Sequence, residues 1–251
     1  MGRVVAVANQ KGGVAKTTTV HTIGAAVAAR GLRVLLVDLD PQACLTYANG
    51  VDPDALELSL HDVMIGRAQA RDVLVKHGDL HLLPATIDLA GAEVVLLSKT
   101  GREFTLRRAL ADVRDDYDLV LIDCPPSLSI LTINGLTAAD FVLVPLQCET
   151  LSHRGVGQLL ETVDEVRSYT NPDLRVLGAV ATMFDRRTNL ARDVVASVPD
   201  RYGLDVLEPP VPKSVKVAEA PATGCTILEH APTSKVADAY RALADRVLER
   251  V

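Results

Sequence analysis

Runs of consecutive apolar residues alternate along this chain with segments in which apolar residues recur every three or four positions. Continuous apolar runs are typical of parallel strands covered on both faces, and the longer spacing is typical of helices. The runs predict strands at Val4–Ala8, Arg33–Asp38, Leu80–Pro84, Leu119–Asp123, Phe141–Leu146, Val176–Met183 and Asp205–Leu207. The other segments predict helices at Thr17–Arg30, Leu89–Leu97, Phe104–Asp115, Val156–Tyr169, Leu190–Tyr202 and Ser234–Arg250.

This alternation of strands and helices predicts an α/β fold, with a doubly wound, mostly parallel sheet and helices on both faces. Ligands of such sheets bind beyond the carboxyl ends of the strands. The Pro-rich stretch Pro209–Pro221 is too short to separate two domains, and no internal repeat is present. We therefore expect residues 1–251 to form a single domain, without an N-terminal helix-turn-helix.

A glycine-containing loop, residues 9–19 with the sequence NQKGGVAKTTT, follows the first predicted strand. A strand, such a loop and a helix opening on Lys-Thr make a phosphate cradle, because the loop N–H groups and the helix N-terminus face an anion. We expect Lys16 to reach the β- and γ-phosphates and Thr17 to bind Mg²⁺. Ala15 departs from the general pattern G-x-x-x-x-G-K-[ST]. Lys11 is an additional lysine, which we interpret as serving a second nucleotide across an interface.

Carboxylates end two of the predicted strands. Asp38 is expected to hold a metal-bound water, and Asp40 to orient the water that attacks the γ-phosphate. Asp123 ends an apolar strand and is expected to support Mg²⁺ as a Walker-B acid. The alternative for the first two acids is helix capping and turn chemistry around Pro41. An apolar strand that ends in Asp is by itself a weak signal, and its value lies in combination with the phosphate loop.

Composition limits the classes of partner. Hydrophobic residues make up 48% of the 251, which is typical of a globular chain. The net charge of −6 means that any contact with nucleic acid needs a local basic patch, and 3% aromatic residues disfavour a base-stacking single-strand binder. Basic residues do cluster late in the chain among acidic ones, and the alternative is a solvated surface of mixed charge.

Several other functions are disfavoured. The four cysteines are scattered without a C-x-x-C motif, which argues against zinc or a disulfide framework and favours a reducing cytosol. A cluster shared between subunits through Cys124 and Cys148 lacks a surrounding cysteine motif, so packing is the simpler interpretation. The C-terminal segment is nearly charge-balanced. We expect it to dock on its own sheet through Val236, Tyr240, Leu243 and Val247, rather than to anchor the chain to a membrane.

Motifs along the whole chain carry a family resemblance. In order they are NQKGGVAKTTT, DLDPQ, DLVLIDCPPS, TMFDRRTN and VPKSVKVAEAP. Together they resemble the ParA/Soj partition ATPases of the deviant-Walker-A (MinD/ParA) superfamily of P-loop NTPases, from Arg3 to about Leu248. The resemblance implies binding of ATP and Mg²⁺, an ATP-bound homodimer and slow hydrolysis. It also implies non-specific binding of double-stranded DNA, stimulation by a ParB/Spo0J-like partner, and a cytoplasmic, nucleoid-associated location without a stable membrane anchor.

The resemblance also assigns roles residue by residue. Lys11 corresponds to the signature lysine that crosses to the partner's nucleotide, Lys16 to the phosphate-loop lysine and Asp40 to the acid needed for hydrolysis. The residues expected to bind the nucleotide are Lys11, Gly12, Gly13, Val14, Ala15, Lys16, Thr17 and Thr18, with Thr182, Met183 and Pro212 around adenine. The metal set is Thr17, Asp38 and Asp123, and the DNA set is Arg187, Arg192, Lys213 and Lys216.

Three departures from the family pattern remain. Ala43-Cys44 stands where Gly-Asn is usual, and Lys213 where Arg is common. Ala15 replaces a glycine, and if its φ is positive it costs about 1 kcal/mol and weakens nucleotide binding. An alternative function is an orphan positioning ATPase for a polar, division or secretory assembly. A metabolic kinase is disfavoured because no acceptor-binding segment is visible.

Overall fold

The computed structural model describes residues 2–77, 80–148 and 152–251, without the side chains of residues 152–154. In these residues the strands form one 8-stranded sheet in the order β3-β4-β2-β5-β1-β6-β7-β8. All neighbours are parallel except β3 and β4, which are antiparallel. The strands are β1 (Arg3–Val7), β2 (Val34–Asp38), β3 (Val75–His77), β4 (Leu80–Leu83), β5 (Leu119–Asp123), β6 (Phe141–Gln147), β7 (Arg175–Thr182) and β8 (Val206–Leu207).

Helices cover both faces of the sheet, so the predicted doubly wound α/β fold is confirmed. They are α1 (Lys16–Ala28), α2 (Cys44–Ala48), α3 (Leu60–Ile65), α4 (Leu89–Leu97), α5 (Thr105–Ala111), α6 (Ile130–Ala138), α7 (Ser152–Tyr169), α8 (Asn189–Tyr202), α9 (Lys216–Glu219), α10 (Ile227–His230) and α11 (Lys235–Arg250). One buried cluster lies under α1, α10 and α11, and another lies under α3 to α8.

Each predicted strand is present with ends within one residue of the prediction. The predicted helix Phe104–Asp115 is too long, because α5 ends at Ala111 and a separate 3₁₀ turn covers Arg114–Asp116. The prediction missed β3, α2, α3, α6, α9 and α10. β3 is a short edge strand whose Lys76 and His77 are exposed, so it has no apolar run.

The C-terminal helix α11 packs on α1, and both helices share a buried cluster with the sheet on which α11 was predicted to dock. Ser234 caps it, since its hydroxyl accepts a hydrogen bond from Ala237 N at 3.2 Å. The side chains of the predicted stripe are all buried: Val236, Tyr240, Leu243 and Val247. The Tyr240 hydroxyl lies 3.3 Å from Thr19 Oγ1 on α1. No helix in the described part of the chain is long and apolar enough to cross a membrane.

The strand order brings three strand ends together. β5 lies between β1 and β2, so Asp123 is the register partner of both Val7 and Asp38. The loops that follow these strands leave the same edge of the sheet, as expected for parallel strands. This edge is where the sequence places its phosphate loop and carboxylates.

Candidate nucleotide-binding site

The phosphate loop connects β1 to α1 at this edge. α1 begins at Lys16, directly after Gly13 (φ 74°) and Ala15 (φ 67°) adopt left-handed backbone conformations. Gly12 and Gly13 are exposed, so their backbone is open to a ligand. The N-terminus of α1 therefore faces the cavity, and Ala15 gives it no side-chain cap, which is an arrangement suited to binding phosphate.

Side chains from β6, β7 and the loop itself hold this backbone in place. Asn9 Nδ2 donates to Pro145 O at 2.7 Å, and Asn9 Oδ1 accepts from Lys11 N at 3.0 Å. Thr182 Oγ1 donates to Val14 O at 3.1 Å. Thr182, which the sequence grouped with the adenine residues, thus supports the phosphate loop directly.

The ammonium groups of the two loop lysines have different hydrogen-bond partners. Lys16 is buried, and its ammonium donates to Lys11 O at 3.2 Å. Burial lowers the pKa of Lys16, and the nearby charges of Asp123 and Asp40 oppose that shift. Lys11 is half-buried, and its ammonium donates to Gln147 Oε1 at 3.1 Å, at the end of β6. Lys16 therefore serves its own loop, whereas the Lys11 ammonium is held outside it.

Asp123 is a buried carboxylate whose oxygens accept no hydrogen bond from the described residues. Burial raises its pKa well above the ordinary value, and the neighbouring Asp38 adds to the rise. Thr17 and Lys16 offset part of this effect, although neither completes a hydrogen bond to the carboxylate. A divalent cation would supply the missing partner and reverse the electrostatic balance. The residues present therefore fit Mg²⁺ held through Asp123 and Thr17.

Asp38 has a different environment. Its Oδ2 accepts from Thr46 N at 2.8 Å and from Thr46 Oγ1 at 2.7 Å. The same Thr46 hydroxyl accepts from Ala85 N at 2.9 Å. Asp38, through Thr46, therefore connects α2 with the segment that follows β4. Burial raises the pKa of Asp38 to about 7. Its predicted contact with a metal-bound water stays a prediction beside this structural role.

Asp40 lies on the wall of the cavity and is only partly buried. Its Oδ1 accepts from Gln42 N at 3.0 Å, and its carbonyl accepts from Ala43 N at 2.9 Å. The turn chemistry that the sequence offered as an alternative is thus present. It also leaves the carboxylate facing the cavity, so the turn positions Asp40 for the role predicted in hydrolysis.

A cavity of about 1020 Å³ opens in front of the loop. It brings together most of the predicted nucleotide residues: Gly12, Gly13, Ala15, Lys16, Thr17, Thr18, Thr182, Met183 and Pro212. Lys11 and Val14 are not among its lining residues. The cavity also extends along α1 to His21 and Thr22, and then to Thr226, Ile227 and Tyr240. Residues three and four positions after Thr18 share its helix face, a spacing from which the sequence could have identified His21 and Thr22.

His21 is the titratable group in this extension. It is buried, and burial lowers its pKa to about 4. Its side chain makes no hydrogen bond to another described residue. A neutral imidazole therefore faces the cavity at neutral pH, where it is able to donate or accept one hydrogen bond.

The four predicted DNA residues lie in the segments that follow β7 and β8, and Lys213 is the one among them that lines the cavity. Phe184 bridges to Pro212, which brings the segments that carry Asp185, Arg187 and Lys213 together. Arg187 is 88% exposed and pairs with Asp185 at 2.9 Å. This pairing lowers the pKa of Asp185 to about 2. Arg192 on α8 and Lys216 on α9 are also exposed, and the DNA contacts of all four basic residues stay a prediction.

Cys124 and Cys148 lie in the interior. Burial raises the pKa of both thiols, that of Cys148 to about 11. Cys124 packs against Gly135 of α6, where an added Cβ would lie 2.9 Å from its sulfur. Both cysteines therefore lie in environments typical of small apolar side chains.

Comparison with known sequences gives consistent results. Residues 2–176 match the AAA domain family. The chain is 43% identical to the sporulation initiation inhibitor protein Soj of Bacillus subtilis, over 98% of this chain and 98% of that protein. It is also 43% identical to the chromosome partitioning protein ParA of Caulobacter vibrioides, over 99% of this chain and 94% of that protein.

A solved structure of high similarity comes from Mycobacterium smegmatis, described as cobyrinic acid a,c-diamide synthase with bound ADP and magnesium. It is 55% identical, with a TM-score of 0.89 over 99% of this chain and 95% of that chain. The same protein has also been solved with a bound ATP analogue and magnesium. A structural relative of this chain therefore binds adenine nucleotides together with magnesium.

Proposed function

The chain belongs to the ParA/Soj family of P-loop ATPases, and from this premise we propose that it is an ATP-dependent dimerising switch for chromosome or plasmid segregation. ATP and Mg²⁺ fill the cavity of each subunit, and two subunits associate. The dimer binds double-stranded DNA without sequence specificity in the cytoplasm. A ParB/Spo0J-like partner then stimulates hydrolysis, which returns the protein to monomers and releases the DNA.

The observation that supports this proposal best is that the two lysines of the phosphate loop have different positions relative to the cavity. Lys16 lines the cavity of its own subunit, whereas Lys11 does not line it and its ammonium lies against Gln147. This position outside its own phosphate site suits the role that the family resemblance gives Lys11, toward the nucleotide of another subunit. We assign Asp40 to the attacking water because it lines the cavity, and Asp123 with Thr17 to Mg²⁺ because the buried Asp123 carboxylate has no hydrogen-bond partner among the described residues. When bound, Mg²⁺ would neutralise phosphate charge.

Size-exclusion chromatography with and without ATP tests the proposal. We expect Lys16→Ala to lose nucleotide binding, because the buried ammonium is the loop's own cation. Asp40→Ala should accumulate as an ATP-bound dimer, because binding is kept and hydrolysis is blocked. Lys11→Ala should bind ATP but stay monomeric or fail to hydrolyse it. A Lys11→Ala protein that dimerises and turns over normally would exclude the cross-subunit role.

Two other functions differ from this proposal in what should accelerate ATP hydrolysis. An orphan positioning ATPase would keep the same switch but fail to respond to a ParB-like protein encoded nearby. The similarity to the Mycobacterium smegmatis protein raises amide formation on cobyrinic acid as a second candidate. In that case, cobyrinic acid with ammonia or glutamine should accelerate ATP consumption. We expect acceleration instead from DNA together with the partner.

A further inference from the structure

The cavity continues past the phosphate loop along one face of α1. Thr18, His21 and Thr22 line it at a spacing of three and four residues, and each residue of a helix adds about 1.5 Å along its axis. The predicted adenine residues Met183 and Pro212 follow β7 and β8 instead. The far part of the cavity is therefore additional to the predicted nucleotide contacts. We call it the α1 subsite and define it by His21, Thr22, Ala48, Val217, Ile227 and Tyr240.

Apolar side chains from two separate segments form the walls of the α1 subsite. Ala48 of α2 and Ile227 of α10 are buried, and Val217 of α9 packs against the buried cluster under α1. Asp52 and Asp54, which follow α2 and also line the cavity, are exposed. A charged ligand in the subsite would lose its hydration without gaining an ion pair there, and an anion would also meet these two acids. The walls therefore favour an uncharged ligand.

Two buried polar side chains face the subsite without a hydrogen-bond partner in the described part of the chain. His21 is 6% exposed and Thr22 is 1% exposed, and both line the cavity. The neighbouring Thr226 differs, because its hydroxyl donates to Glu229 Oε2 at 3.0 Å. The neutral imidazole of His21 offers one donor and one acceptor. A few such polar groups in an otherwise apolar pocket are what orients a small ligand.

We propose that the α1 subsite binds an uncharged, planar aromatic or heteroaromatic molecule whose hydrogen-bonding group meets His21 and Thr22. The rings of His21 and Tyr240 both line the subsite, and aromatic ligands pack favourably against such rings. The ligand lies beside the nucleotide, on the same helix whose N-terminus faces the phosphates. This second site goes beyond the proposed function, because it is occupied together with the nucleotide and does not replace it.

Indole is the probe for the subsite, since it is uncharged and has one N–H donor. Indole-3-carboxylate, an anion with the same ring, is the matched control ligand. The full chain is labelled with ¹³C in its histidines and titrated at neutral pH. We expect the His21 resonance, identified by its absence in His21→Phe, to shift saturably with a dissociation constant of about 1 mM or below. The resonance of His61, which does not line the cavity, should stay constant, and indole-3-carboxylate should not saturate the site.

Two variants separate hydrogen bonding from the shape of the subsite, and equilibrium dialysis measures their affinity for indole. His21→Phe keeps a ring and removes both nitrogens, so we expect affinity to fall about fivefold, as for one lost hydrogen bond. Thr22→Leu keeps the imidazole and narrows the subsite, and it should weaken binding at least as much. His61→Phe is the matched control and should bind indole like the parent. Circular dichroism shows which variants are folded. Unchanged affinity in the folded variants, or no saturable shift of His21 in the parent, overturns the proposal.

A titration in the presence of nucleotide separates this subsite from the proposed nucleotide site. A saturating non-hydrolysable ATP analogue with Mg²⁺ should leave the affinity for indole unchanged. Competition between the two ligands would show that the subsite holds part of the nucleotide, which overturns the proposal. If the analogue does not bind at all, the proposed function fails, and the titration of the nucleotide-free protein still decides whether the α1 subsite takes an aromatic ligand.

Discussion

Left-handed backbone at non-glycine residues is concentrated at the cavity. Among the described residues, Ala15 (φ 67°), Ala43 (φ 51°) and Met183 (φ 51°) have positive φ, and all of them line it. Such conformations are sterically unfavourable for residues with a Cβ and persist where the surrounding structure determines them. Both alanines stand where the family usually has glycine. The sequence departures at Ala15 and Ala43 are therefore positions of local strain.

Replacing Ala15 by glycine should relieve part of this strain. We expect Ala15→Gly to raise the free energy of unfolding by about 1 kcal/mol and to tighten nucleotide binding, because glycine adopts positive φ without penalty. Urea denaturation and titration with a fluorescent ATP analogue measure the two effects. Ala25→Gly, within the right-handed α1, is the matched control and should lower stability by about 1 kcal/mol. The expectation is wrong if both variants lose stability equally.

Burial of His21 predicts a pH-dependent stability. Its pKa is about 4 in the folded protein against an ordinary 6.5, so the unfolded chain takes up the proton first. The stability is then complete above pH 6.5 and falls as the pH drops towards 4, by about 3 kcal/mol in total.

The comparison of the parent with His21→Gln isolates this effect. Urea denaturation at pH 7 and pH 4.5 should show a smaller decrease in the variant. Other buried groups titrate in both proteins. Asp38, for example, has a raised pKa and changes stability in the opposite sense, so only the difference between the proteins reports on His21. Equal pH dependence in both would contradict the prediction.

Among the elements, the sequence predicted the strands, because continuous apolar runs specify them. It missed helices that depend on tertiary contacts. The parallel strands were found because each is an apolar run. α2 begins at Cys44 after a left-handed Ala43 without a side-chain cap, and its anchor is Asp38 through Thr46, a contact between separate elements. α6 is buried over most of its length, so its sequence shows no polar face.

The same reasoning applies to the candidate site. Loop residues and the strand-end acids follow from local motifs, whereas the contacts of Gln147 and Thr182 depend on which strands are neighbours in the sheet. Local motifs do not specify that order, so neither contact was predicted. Asp38 accepts hydrogen bonds from Thr46 in the structure. The alternating acids in the sequence indicated a metal role for Asp38 and gave no sign of this contact.

Helix α7 packs closely against the start of the phosphate loop. A Cβ added at Gly155 would lie 2.9 Å from Asn9 Oδ1 and 3.5 Å from Lys11 N, whereas one at Gly157 would meet nothing nearer than 3.9 Å. We expect Gly155→Ala to lower the free energy of unfolding by about 1–2 kcal/mol through overpacking, and to weaken nucleotide binding.

Gly157→Ala provides the control within the same helix. It should gain up to about 1 kcal/mol from helix propensity and leave nucleotide affinity unchanged. Thermal unfolding and analogue titration of both variants give the comparison. If the two alanine variants behave alike, the close approach of α7 has no consequence for the loop.

For the whole molecule, the net charge of −6 makes DNA binding depend on a local patch. Non-specific binding releases counterions, so the logarithm of the affinity falls with the logarithm of the salt concentration, by about one unit of slope per phosphate contact. We expect charge reversal at Arg187, Arg192, Lys213 or Lys216 to weaken binding of a mixed-sequence duplex and to make this slope shallower. Fluorescence anisotropy of the ATP-bound protein at several salt concentrations measures both.

Lys76→Glu is the matched control for this experiment. Lys76 is exposed on β3, at the opposite edge of the sheet from β8. It changes the net charge by the same amount as the other lysine reversals, so it reports the effect of overall charge alone. Equal losses for Lys76→Glu and Lys213→Glu would show that no local patch exists.

The packing of α11 on α1 has a consequence for the timing of biosynthesis. Residues 16–28 leave the ribosome long before residues 235–250, yet the apolar face of the early helix is covered by the late one through contacts such as Tyr240 with Thr19. A nascent chain therefore carries the phosphate-binding motif before it carries the packing that stabilises it. We therefore expect a chain cut off before residue 235 to bind a fluorescent ATP analogue more weakly than the full chain, because the apolar face of α1 then has no cover.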